Sequence, residues 1–261
     1  MSDGWTPPSQ PSPRRRGGSE RTTAIAVVIA VVVVLFLLHT HRLSRFTIVY
    51  FAVLIPSIIL HEISHGAVAN VLGDDTAKRA GRLTLNPFAH IDPLGSVIVP
   101  GLLVLTSNVA FGWAKPVPVN VGRLRHPRNG SVVVALAGPV TNGILFAVCA
   151  LAFRYLLTHG LFLPPTGNTI PLGYQFLLAG GLANITVGVF NLIPLPPLDG
   201  SAIVERLVPD RHLHAYYRIR PYGMVIVFLF AIFVLQSSQI GAHLFGYELK
   251  AWNAVAGTSF A

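Results

Sequence analysis

The chain has 261 residues, with 19 Lys and Arg against 10 Asp and Glu, so that only 11% is charged while 52% is hydrophobic. A soluble domain carries about 25% charged residues, and a globule of this composition cannot cover its surface in water. The single cysteine, Cys149, excludes an internal disulfide or thiolate metal cluster, and the net charge of +9 lies between hydrophobic blocks, as in membrane loops, which excludes nucleic acid as a partner.

Residues 1–22 hold four prolines and the run Arg14, Arg15, Arg16 with almost nothing apolar to bury, which predicts a disordered basic cytoplasmic tail. The block Thr23 to Leu38 lacks a small-x-small cleavage site before His39 and is expected to be a retained signal anchor. A second span runs from Phe46 to Leu72 and is ended by Gly73 and Asp74. Further blocks follow at Pro93 to Phe111, Ser131 to Leu157, Tyr174 to Ile193 and Tyr222 to Leu235.

Six full crossings would scatter the basic loops over both faces. If Pro93 to Phe111 instead dips in and returns, 15 of the 19 basic residues share the side of the N-terminal arginines. Pro93, Gly95, Pro100 and Gly101 favour this re-entrant path, because irregular backbone is tolerated at membrane depth when it packs against protein or a cavity. The short alternations Arg82 to Leu85 and Val117 to Val121 suggest a small β-hairpin at the membrane surface, with Pro116 and Pro118 restricting the second to an edge. The expected fold is an all-α polytopic integral membrane protein of five to six hydrophobic helices. Residues 23–240 form one embedded unit with its core at about 46–206, and 241–261 a C-terminal tail.

His61-Glu62-Ile63-Ser64-His65 is an H-E-x-x-H motif on the second span. Two histidines four apart share one helix face and can hold one Zn²⁺, with the glutamate beside them to take a proton from water. Composition predicts about 0.006 chance occurrences in this chain. Neutral core histidines satisfied by carbonyls are the structural alternative, but ionisable groups in a helix centre cost several kcal/mol on insertion scales unless something compensates them. At about 1.5 Å per residue, His61 lies about 22 Å from one end of the span and about 18 Å from the other. The metal would lie inside the bilayer.

A catalytic zinc needs a third protein ligand, and the candidates are His90, Asp92 and Asp199. Asp199 is favoured: Pro194, Pro196 and Pro197 end the fifth block and force extended backbone, whose free carbonyls need a cavity, while still in apolar sequence. His90 and Asp92 sit in a loop entering the re-entrant block and are better placed to shape the site mouth. Asn142 reads as helix-packing glue, and Asn191 as a donor near the metal.

These motifs resemble the site-2 protease family of intramembrane zinc metalloproteases, in its compact bacterial form without PDZ or CBS domains. The resemblance rests on His61 to Gly66, on Ala137-Gly138-Pro139 with Asn142, and on Asn191 to Gly200, and covers about Phe46 to Arg206. It implies a three-helix catalytic core, one Zn²⁺ held by His61, His65 and Asp199, Glu62 as base, and Asn191 near the substrate backbone. The implied substrate is a membrane-anchored protein, cut within or near its transmembrane segment in the cell membrane. The competing class is a non-catalytic metal-binding membrane protein or transporter, in which Glu62 would be idle.

Overall fold

A computed structural model describes residues 44–99, 112–161, 171–209, 212, 216–218 and 220–258. The N-terminal tail, the Thr23 to Leu38 anchor and residues 100–111 of the 93–111 block lie outside these residues. The helices are α1 (Arg45–Val71), α2 (Thr76–Arg79), α3 (Pro127–Thr158), α4 (Leu172–Asn191), α5 (Ser201–Leu207), α6 (Gly223–Gln236) and α7 (Ser238–Ala256).

Helices α1, α3 and α4 pack on one another as a three-helix core. The buried face of α1 repeats every fourth residue, through Val49, Val53, Ser57, His61, His65 and Ala69, which is the stripe a 3.6-residue period keeps on one side. Val49 and Val53 meet Ala179 and Ala183 of α4, while Ala69 meets Leu124 and Val134. Small residues at these contacts bring backbones close, as helix packing without water requires. Half of the apolar stretch of α4 is enclosed, against 28% for α1 and 22% for α3, so α4 is the central element. The outer faces stay apolar, with Ile55, Val140, Ile144 and Val148 exposed.

Among the described residues, three helices (α1, α3 and α4) are long and apolar enough to cross a membrane, or four if α6 and α7, which meet at 89°, make one broken span. This is fewer than the five to six expected, partly because the first block is not described. In addition, α6 has 14 residues, or about 21 Å of helix, short of a core about 30 Å thick. Residues 241–256, expected to be part of a tail, belong to α7. Trp252 explains this: it is fully buried, packs edge-on to Phe153 at 5.3 Å between centroids, and lies against Gly181 where any Cβ would collide with it.

The expected hairpin is replaced by a different arrangement, and no strand occurs among the described residues. The N–H groups of Trp113, Lys115 and Val117 alternate as in a strand, but they donate to Gly95 O at 3.0 Å, His90 O at 2.9 Å and Glu62 Oε2 at 2.8 Å. Pro116 and Pro118 lack an N–H, which leaves Val117 the single backbone donor of its tripeptide. The period-2 pattern in the sequence is therefore real extended backbone whose partners are not another strand. The bond from Trp113 to Gly95 also ties the chain just after the 93–111 block to the start of that block.

The end of α1 is fastened by Asp74. Gly73 turns the chain with a φ of 107°, a conformation that glycine adopts without Cβ strain. Asp74, fully buried, then accepts from the Thr76 amide at 3.0 Å, the Thr76 hydroxyl, and the Asn120 amide at 2.6 Å. Burial pushes its carboxyl up, but these hydrogen bonds and nearby Arg123 outweigh burial and hold it below the usual carboxylate range. Asp74→Asn places an NH₂ against one of those donors and is expected to cost about 1–3 kcal/mol at neutral pH. Because the folded-state pKa is depressed, this stabilisation is full above the unfolded value near 3.9 and is lost as pH falls through the folded value. Thermal unfolding in detergent should show a gap between variant and wild type that is large at pH 7 and narrows at pH 3.

Candidate metal centre

The one-turn spacing on α1 brings the His61 and His65 Nε2 atoms to 3.0 Å, with rings edge-on and both residues buried. Each Nδ1 faces an acceptor: the Asn142 Oδ1 at 2.6 Å for His61 and the Val134 carbonyl at 2.7 Å for His65. An Nδ1 that faces an acceptor carries the proton, so each Nε2 presents a lone pair. The two lone pairs face each other with no hydrogen between them.

Asp199 completes the group. The Gly200 amide donates to Asn191 O at 2.7 Å, closing the proline-rich loop after α4, and a Cβ at Gly200 would lie 2.2 Å from Leu192 O. The turn directs Asp199 Oδ2 to 3.1 Å from His61 Nε2 and 3.4 Å from His65 Nε2. That oxygen is buried without a hydrogen-bond donor. Three acceptor atoms in mutual contact suit a cation. Their separations approach the edge of about 3.3 Å expected for a tetrahedron with bonds of about 2.0–2.1 Å.

Helix α3 supplies the wall. Val134, Gly138 and Asn142, four residues apart, present their stripe to α1. A Cβ on Gly138 would stand 2.5 Å from both Nε2 atoms, so the space where the ligand atoms converge exists because residue 138 has no side chain. Asn142, fully buried, passes the hydrogen-bond chain onward: its Nδ2 donates to Asn184 Oδ1 at 2.7 Å. Asn184 donates in turn to Ser57 Oγ at 3.0 Å and Gly180 O at 2.8 Å, and Ser57 to Val53 O at 2.7 Å. Every member is satisfied, and the chain joins all three core helices.

His61, His65 and Asp199 are thus brought together, and among the described residues they are the group of His, Cys, Asp and Glu side chains spaced to hold an ion. Glu62, next to His61, has Oε2 bonded to the Val117 amide. Asn191 is turned to the preceding helical turn, donating to Val187 O at 3.0 Å. His90 is buried against Thr84 O at 2.9 Å, and Asp92 caps the Leu94 and Gly95 amides, so both shape the loop rather than the ion group. The sequence pattern reads Asn142 as helix-packing glue and, beyond its place in the family resemblance, assigns Gly138 no role. The signal available for Asn142 was a polar side chain in an apolar helix one turn beyond a glycine.

The model of peptidase family M50 matches residues 167–234. A Bacillus subtilis relative that carries the name of a zinc metalloprotease, YwhC, is 39% identical over 199 residues, covering 76% of this chain and 84% of its own length. Rip2 of Mycolicibacterium smegmatis, with the same kind of name, is 31% identical over 177 residues, covering 67% of this chain and 63% of its own. The archaeal MJ0392 of Methanocaldococcus jannaschii is 26% identical over 169 residues, 65% of this chain and 37% of its own. The chain therefore spans less than two thirds of some of these relatives. No solved structure matches it.

The geometry generates two expectations. Gly138→Ala fills the space between the ring nitrogens and should abolish stoichiometric zinc uptake while the protein stays folded, read by metal analysis of purified protein beside its circular dichroism. Asn142→Leu removes the acceptor that holds the His61 Nδ1 proton and should weaken zinc binding by about 10- to 100-fold. Asn142→Asp keeps an acceptor there and should lose less, as measured by competition with a chelator.

Proposed function

The chain belongs to peptidase family M50, and we propose that its metalloprotease chemistry cuts peptide bonds within or near the transmembrane segment of a membrane-anchored protein. The observation that carries this reading is the convergence of His61 Nε2, His65 Nε2 and Asp199 Oδ2 at the middle of a membrane-length helix. His61 stands 16 residues after Arg45 and 10 before Val71, or about 24 Å and 15 Å along the axis. This position supports a ligand set within the bilayer of the cell membrane, and the clustering of basic residues in the loops supports a cytoplasmic side for them. The hydrogen bond from the Trp113 amide, just after the 93–111 block, to Gly95 O near its start supports the re-entrant reading of that block.

His61, His65 and Asp199 would hold one Zn²⁺. Zinc in such a set supplies the Lewis acidity that activates water and a peptide carbonyl. Glu62 takes the proton of the attacking water and returns it to the leaving amine. Its Oε1 makes no hydrogen bond among the described residues, so that oxygen is available to the water while Oε2 stays on the Val117 amide. Asn191 retains its Oδ1 and second amide hydrogen for the substrate main chain. A helical substrate hides its carbonyls, so the cut segment must unwind, and helix-breaking residues near the bond should favour cleavage.

A transporter reading leaves Glu62 without a task. Glu62→Gln separates the two: it should keep its zinc and lose at least about 100-fold in cleavage of a membrane-anchored substrate. Cleavage at the wild-type rate would remove the base assignment. Asp199→Asn should lose the metal, and undiminished zinc would reassign the third ligand. Mapping new protein termini in membranes with and without the active enzyme identifies the substrate.

A further inference from the structure

Glu62 is held from outside the catalytic helix, by a segment that the reaction as described does not use. The stretch Lys115-Pro116-Val117-Pro118 has amide hydrogens at 115 and 117 alone. Lys115 gives its N–H to His90 O, and Val117 gives its own to Glu62 Oε2. The carbonyls of the same stretch are gripped by Arg82, whose Nη2 donates to Lys115 O at 2.5 Å and Pro116 O at 3.3 Å. Arg82 is 7% exposed, an expensive place for a guanidinium unless it has a fixed task. Burial drives its pKa down, and the nearby Glu62 carboxylate opposes that shift.

The approach depends on Gly66, one turn along α1 from Glu62. A Cβ there would lie 2.6 Å from Leu83 Cδ2 and 3.0 Å from Val117 Cγ1. With no side chain at 66, the loop lies directly on the helix and the Val117 amide comes within reach of the carboxylate.

We propose that Arg82 and the Val117 amide are positioning groups for Glu62: the guanidinium fixes the peptide carbonyls at 115 and 116, and the single N–H between two prolines then fixes the rotamer of the base. The inference rests on the reading of Glu62 as proton acceptor. Orientation of this kind acts on the chemical step, and misplacement by about 1 Å can cost on the order of 100-fold.

The test is cleavage kinetics on a membrane-anchored substrate with the full-length protein, beside zinc content and amide exchange. Arg82→Leu and Val117→Pro should each lower kcat by about 10- to 100-fold, leave KM within about twofold, and keep stoichiometric zinc. Val117→Ala retains the N–H and should stay near wild type, and Arg82→Lys should recover part of the loss. Independently of activity, the Val117 amide should exchange slowly in the wild type and at least about tenfold faster in Glu62→Ala. Wild-type kcat in Arg82→Leu and Val117→Pro, with Glu62→Gln inactive, would overturn the inference and leave the protease reading intact. Loss of zinc in Arg82→Leu, or equal damage from Val117→Ala and Val117→Pro, would overturn it in favour of packing. An active Glu62→Gln would remove the base assignment itself.

Discussion

Three acceptor atoms that face one another without a hydrogen among them set the terms for this molecule. His61 Nε2, His65 Nε2 and Asp199 Oδ2 lie 3.0 to 3.4 Å apart. Such a cluster in a low-dielectric interior is unfavourable unless a cation joins it. The arrangement persists because each component is held elsewhere: the rings by their Nδ1 hydrogens on Asn142 and Val134, and the carboxylate by the loop that Gly200 closes onto Asn191.

The surrounding helices meet the demands of that cluster with few polar groups. In apolar surroundings a half-satisfied amide costs more than an apolar replacement would, and the chain from His61 through Asn142 and Asn184 to Ser57 ends on the Val53 carbonyl. The same chain crosses α1, α3 and α4 and fixes their rotation about their axes. Glycine serves where atoms must converge: at 138 it opens the ion space, and at 66 it admits the loop that reaches Glu62. Helices α1 and α3 bury only about a quarter of their apolar stretch against the half-enclosed α4, so the geometry of the site rests on hydrogen bonds and small-residue contacts rather than on a large core.

Outside the helices, extended backbone is used without a sheet. The segment from Trp113 to Val117 spends its alternating amides on a glycine carbonyl, a histidine carbonyl and the Glu62 carboxylate of α1, while Asp74 fastens the same loop region to the end of that helix. The loop that follows the 93–111 block is thereby tied to the Glu62 carboxylate through the Val117 amide.

The sequence alone determined what depends on local spacing. H-E-x-x-H puts two imidazoles on one helical face, Gly73 and Asp74 end that helix, and three prolines interrupt apolar sequence just before Asp199, which is where the structure brings a carboxylate to the histidines. The alternation at Val117 was also legible, but not its partner, because period 2 reports extended backbone without saying what receives its hydrogen bonds. Tertiary structure decided the rest. That Asn142 faces His61, that Gly138 leaves the ion space open, that Arg82 reaches the carbonyls at 115 and 116, and that Trp252 draws α7 onto the core all join residues about 30 to 110 positions apart in sequence. No local period encodes such pairs; they follow from which helix faces meet and how closely glycine lets them approach.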